Sequence, residues 1–100
     1  MFCKRATQVK ANRDTSTNVR YKFGDNLGVD EERVMLMKNP EHYRLPAQTT
    51  IENYAITADN CYLVYPTNFH EYERLYRDSF QHGGISLEEM ICPFVVLRPR

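Results

Sequence analysis

"TTIENYAITADNCYLVY", residues 49–65, holds the densest run of β-branched and aromatic side chains in the chain. Such residues favour the pleated, half-buried surface of a strand. The two halves, 49–58 and 61–65, are separated by Asp59-Asn60, a pair able to take the positive φ of a two-residue turn. The expectation is a β-hairpin, and the remaining elements are placed outward from it.

Downstream of Pro66, Asn68 with Glu71 three residues later reads as a helix-opening box, and Phe69, Tyr72, Leu75, Tyr76 and Phe80 recur at helical spacing. The spacing predicts a helix over 69–79 that buries an aromatic stripe, with His70, Glu73, Arg74 and Arg77 on its solvated face. Ser86 with Glu89 forms a second box opening one helical turn through Met90. Pro93 then admits only a strand start or edge, and "FVVL" (94–97) is expected to close the domain as a buried strand.

Upstream, "RVMLMK" (33–38) reads as a short buried strand ended by Asn39-Pro40, with "EHYRLP" (41–46) as a connector. Residues 11–28 are dense in Asn, Asp, Ser, Thr and Gly, which favour turns, so a long polar loop is expected there. The first ten residues form a weak strand candidate with Phe2 and Val9 partly buried. Alternating strands and short helices place the chain in the α/β class, as one unit over 1–100 with no repeat or linker.

One hundred residues support a single modest core. Thirteen basic and thirteen acidic side chains cancel, so net charge points neither to nucleic acid nor to an anionic membrane. No apolar run nears the roughly 18 residues that span a bilayer, and the expected location is the cytoplasm. Cys3, Cys61 and Cys92 lack metal-ligand spacing; Cys61 and Cys92, in apolar runs, read as small buried hydrophobes.

Two stretches carry potential chemistry. In "FQHGGISLEEM" (80–90), His82 is either a hydrogen-bonded turn residue whose glycines cap the preceding helix, or a metal ligand with glycines that let backbone approach an ion. In "TSTNVRYK" (15–22), Arg20, Tyr21 and Lys22 either grip phosphate oxygens or belong to an exposed loop whose charges serve solubility. His42 and His70 have no partner at ligand spacing. The phosphate-binding P-loop, the GxSxG elbow and HExxH are all missing. A single histidine does not hold a catalytic zinc, which takes three protein ligands.

Taken together, "NVRYKFGDNLG" (18–28) and "YPTNFHEYERLYRDSFQHGGISLEEMICPFVVL" (65–97) resemble the C-terminal part of a PglZ domain, of the alkaline-phosphatase superfamily, as in PorX-like two-component response regulators. The resemblance spans most of the chain and implies the last part of an α/β sandwich, with a hairpin and two short helices. It further implies a two-zinc hydrolase of phosphate esters or phosphodiesters, with a threonine nucleophile. His82 would be a metal ligand, and Arg20, Tyr21 and Lys22 would lie near a phosphoester or nucleotide substrate.

The family's threonine and metal-binding aspartates precede the part seen in this sequence. The chain is therefore expected to be inactive alone, partnered by the N-terminal half of such a domain. A single imidazole leaves zinc, iron, manganese and nickel open as the metal. The other expectation, from a different class, is a non-catalytic interaction module that uses open sheet edges to bind a partner.

Overall fold

The computed structural model describes residues 1–12, 16–47 and 51–100. Among the described residues, seven strands, two short α-helices and one 3-10 turn at Pro40–Tyr43 make a mixed α and β unit. A parallel pair joins β2 (Arg5–Gln8) to β6 (Cys61–Val64), with Arg5 opposite Cys61 and Gln8 opposite Val64. An antiparallel sheet has the order β3 (Tyr21–Asp25), β5 (Glu52–Thr57), β4 (Val34–Met37). A small ribbon pairs β1 (Phe2–Cys3) with β7 (Ser79–Phe80).

The expected hairpin does not form. β5 pairs with β3 and β4, whereas β6 pairs with β2. Val19 and Arg20 occupy the intervening slot: the Leu63 N–H donates to the Val19 carbonyl at 2.6 Å, and the Thr57 N–H to the Arg20 carbonyl at 3.0 Å. The turn still uses Asp59 as its sequence suggests, since the Asp59 carboxylate accepts from the Cys61 N–H at 3.0 Å. Its carbonyls at Asp59 and Cys61, however, wrap the Arg20 guanidinium instead of closing a two-stranded ladder. A buried cation needs those acceptors, and local strand propensity gives no sign of that demand. The hairpin's first two residues, 49 and 50, lie outside the described residues.

Most of the core lies in two clusters. Val9, Leu27, Val34, Ala55 and Leu63 form one; Cys3, Val19, Tyr62 and Val64 form the other, with Phe69 and Tyr76 packed on it. Those two aromatics belong to α1 (Phe69–Tyr76), which the Tyr62 hydroxyl tethers by donating to the Glu73 carbonyl at 2.6 Å.

The aromatic stripe is buried less than its spacing predicts. No residue of α1 is buried, and Tyr72, Leu75 and Phe80 are exposed. An eight-residue helix packed on β6 covers little, and it is Phe69 and Tyr76 that pack on the cluster containing Tyr62 and Val64. The helix also ends at Tyr76, short of the expected 79, because Arg77 turns extended and Ser79–Phe80 pairs with β1. Asn68 is left-handed and makes no side-chain cap.

Other expectations are corrected in the same way. The polar stretch 11–28 contains β3, because Tyr21 to Asp25 pairs residue for residue with Ile56 to Glu52. Residues 13–15 of that stretch lie outside the described residues. β4 forms where expected but buries only Val34, since it pairs on one side alone. The first ten residues do form strands; Val9 is fully buried, and Phe2 packs on the Phe80 ring at 5.1 Å. The closing "FVVL" is neither buried nor a strand: Phe94 is 91% and Leu97 87% exposed. Cys92 is exposed with it, while Cys3 and Cys61 are buried. No helix among the described residues is long and apolar enough to cross a membrane.

Candidate functional site

α2 (Leu87–Met90) opens as its sequence predicts, with Ser86 at the N-cap and Glu89 as the reciprocal glutamate of the box. The Glu89 carboxylate accepts from the Ser86 N–H at 3.1 Å and the Ser86 hydroxyl at 2.6 Å, and from the Gly84 N–H at 3.1 Å. The same carboxylate also receives Arg20, whose Nε donates to Oε1 at 2.9 Å and Nη2 to Oε2 at 2.7 Å. Burial by itself would raise the Glu89 pKa. The Arg20 hydrogen bonds, joined by those from Ser86 and Gly84, outweigh it and hold the carboxyl at about 2.

Arg20 is fully buried, at 0% exposure, and its remaining bonds run to the Asp59 and Cys61 carbonyls. Neither reading of an exposed cation or a phosphate clamp describes it, because its fork is filled by the chain's own acceptors. It is the post around which the turn after β5 and the turn before α2 are built. The Ile85 N–H adds to this by donating to the Thr57 carbonyl at 2.8 Å.

The two glycines follow from this packing. A Cβ at Gly84 would lie 2.5 Å from Arg20 Nη2, 2.6 Å from Glu89 Oε2 and 2.6 Å from the Thr57 carbonyl oxygen. Gly83 has φ +101, and a Cβ there would lie 3.0 Å from Tyr21 Cδ1 and 3.1 Å from Asn18 Nδ2. Asn18 in turn shapes the approach to β3, its Oδ1 accepting from the Arg20 N–H at 2.7 Å and the Tyr21 N–H at 3.3 Å. The stretches 18–21 and 83–89, distant in sequence, thus form one packed unit.

His82 stands exposed at the entrance to this unit. The residue before it is pinned, since Gln81 exchanges hydrogen bonds with Met1 at 2.9 and 2.8 Å. The Gly84 N–H, bonded to Glu89, holds the other end, so the backbone around His82 is anchored at 81 and 84 while the residue itself is exposed. Among the described residues, no three His, Cys, Asp or Glu side chains gather as a metal-binding group. Glu89, the acid whose carboxylate accepts from the Gly84 N–H of this turn, is committed to Arg20. The described residues do not fit a zinc centre by themselves; at most His82 contributes one ligand to it.

Lys22 is separated from its neighbours by the alternation of the strand. Its Nζ donates to the Ser16 carbonyl at 2.8 Å and sits 4.5 Å from the centre of the Tyr65 ring. Here it lines a cleft of about 310 Å³ with Ser16, Thr17, Tyr65, Thr67 and Tyr72. The triplet Arg20, Tyr21 and Lys22 therefore divides its work among an ion pair, a packing surface for Gly83, and a hydroxyl-rich cleft.

Sequence reading missed Glu89 as the partner of Arg20. Its only local signal was the capping box, which explains the bonds to Ser86 but not those to a guanidinium 69 residues away. No family model matches the chain, and no curated protein matches it.

Proposed function

We propose that this chain is the closing segment of a PglZ-type, alkaline-phosphatase-like hydrolase of phosphate esters or phosphodiesters, the output domain of a two-component response regulator. The observation that carries the reading is the direct packing of 83–89 on 18–21, the two stretches on which the resemblance rests. In this reading His82 is one metal ligand, presented outward by a backbone held at Gln81 and Gly84. The metal, zinc by the resemblance, would neutralise phosphoryl oxygens when bound.

Arg20 is a positioning residue for that imidazole, acting through Gly84 and Glu89. Lys22 and Tyr21 are the substrate-side candidates, with Lys22 offering an ammonium among hydroxyl donors in the cleft. The nucleophile and the other ligands come from residues beyond this sequence. The chain alone is expected to be inactive.

The test joins this chain to the aspartate- and threonine-bearing segment of such a domain and measures zinc-dependent hydrolysis of an aryl phosphate or a dinucleotide. Activity and one tightly held zinc should both be lost in His82→Ala. Retention of zinc and full activity in that variant would sink the reading, as would zinc-dependent hydrolysis by the 100-residue chain alone.

The second reading, a non-catalytic interaction module, is favoured by a different observation: the apolar run 94–97 is exposed, and among the described residues β2 and β4 have open edges.

A further inference from the structure

β2 is an edge strand whose outward side is open over half its length. The Arg5 N–H donates to the Asn60 carbonyl at 3.3 Å and the Val9 N–H to the Val64 carbonyl at 3.1 Å, so the odd-numbered residues face β6. By the two-residue alternation of a strand, the backbone groups of Ala6 and Gln8 face away from it. The next even residue shows what that side accepts: Lys10 exchanges hydrogen bonds with Gly28 in an antiparallel bridge, both at 2.8 Å. Among the described residues, this edge is covered at Lys10 and left uncovered at Ala6 and Gln8.

Along the uncovered part runs a groove of about 510 Å³, walled by Ala6, Thr7 and Gln8 on one side and by Val29, Asp30 and Arg33 on the other. The Thr7 hydroxyl in this wall is the one buried side-chain oxygen without a hydrogen-bond partner among the described residues.

The same molecule carries a segment suited to such a groove. Residues 91–100 have no secondary structure and are exposed throughout. Within them "FVVL" (94–97) has a strand's composition and the four-residue length of β2. Arg98 and Arg100 follow it at once, and the groove's far wall begins the acidic run Asp30, Glu31, Glu32. Open edges and exposed apolar strands are each a site for pairing with another chain.

We propose that two copies of this chain form a dimer by exchanging tails, residues 94–97 of each adding as a strand to the Ala6–Gln8 edge of the other. Residues 91–93 link α2 to that strand and span about 10 Å when extended, so the exchange brings the two copies into direct contact. Because each copy has both edge and tail, a reciprocal exchange closes on itself with two-fold symmetry and leaves neither feature bare. Asp30 is held by Arg33 at 3.8 Å, and the exposed Glu31 and Glu32 beside it receive Arg98 and Arg100, which selects this strand over an uncharged one. The exchange rests on the interaction-module reading and deepens it; it requires neither metal nor His82, so its failure would leave the hydrolase reading standing.

The experiment measures the mass of the purified chain in solution by light scattering over a range of micromolar concentrations. A dimer is expected for the unaltered chain. Val95→Pro, in a tail exposed throughout and without secondary structure, should give a monomer with an unchanged circular dichroism spectrum. Ala6→Pro should do the same, since an edge strand tolerates proline where its N–H faces outward. A peptide of sequence FVVLRPR should dissociate the dimer. A monomeric unaltered chain, or a dimer indifferent to Val95→Pro and to the peptide, overturns the proposal.

Discussion

Arg20 and Glu89 meet as a fork on a carboxylate, at 2.9 and 2.7 Å, with side-chain exposures of 0% and 7%. Everything built around His82 depends on this pair: the tightness at Gly84, the direction of α2, and the turn that ends the expected hairpin before it forms. Removing one partner of a buried pair leaves the other charge without compensation. Arg20→Ala and Glu89→Gln are each expected to destabilise the chain by about 3–5 kcal/mol. The double variant should lose less than the sum of the two. Urea unfolding followed by circular dichroism measures all three.

Acid should dissolve the same pair. Glu89 has a folded pKa near 2 against an ordinary value of 4.5. Its contribution is therefore complete above about pH 4.5 and is lost as pH falls toward 2. The difference corresponds to about 3 kcal/mol at most. Stability measured at pH 7 and pH 3 should fall in the unaltered chain, and this part of the fall should be missing in Glu89→Gln.

Glycine is required at 84 but not at 28. Gly84→Ala places a methyl group against a guanidinium, a carboxylate and a carbonyl, and should cost about 1–3 kcal/mol. Gly28→Ala meets only Lys10 Cβ at 3.5 Å and should change stability little. Their melting temperatures, compared side by side, check the pair of expectations.

His82→Ala should leave folding untouched, within about 0.5 kcal/mol, because the imidazole is exposed and the turn is held by its neighbours. A marked loss of stability in this variant would return His82 to a structural turn role.

The cysteines should separate by reactivity. Burial pushes the Cys3 and Cys61 thiols up, while Cys92 lies in the exposed tail. A thiol reagent at neutral pH should label one cysteine in the folded chain and all three after unfolding, read by mass spectrometry.

The strands β4, β5 and β6, the helix after Pro66 and the single turn at 87–90 were legible in the sequence, because each is specified by neighbours a few residues apart. The Ser86–Glu89 box is the best case, since both partners sit on one turn. The site was half legible. His82 and the triplet Arg20 to Lys22 could be singled out by residue type, yet nothing local said that Arg20 points inward to a carboxylate while Lys22 points to a cleft.

Pairing partners were the part that the sequence by itself left open. A β-branched run states that a strand exists and is silent on its neighbour, so β5 and β6 read as a hairpin although Val19 and Arg20 lie between them. The tail shows the same limit from the other side, for "FVVL" has a strand's composition and finds no strand in its own copy to lie against. Composition and short spacing determined the elements. Only the tertiary structure decided their neighbours, because a buried guanidinium must collect its acceptors from wherever the chain can bring them, and here it draws them from Asp59, Cys61 and Glu89.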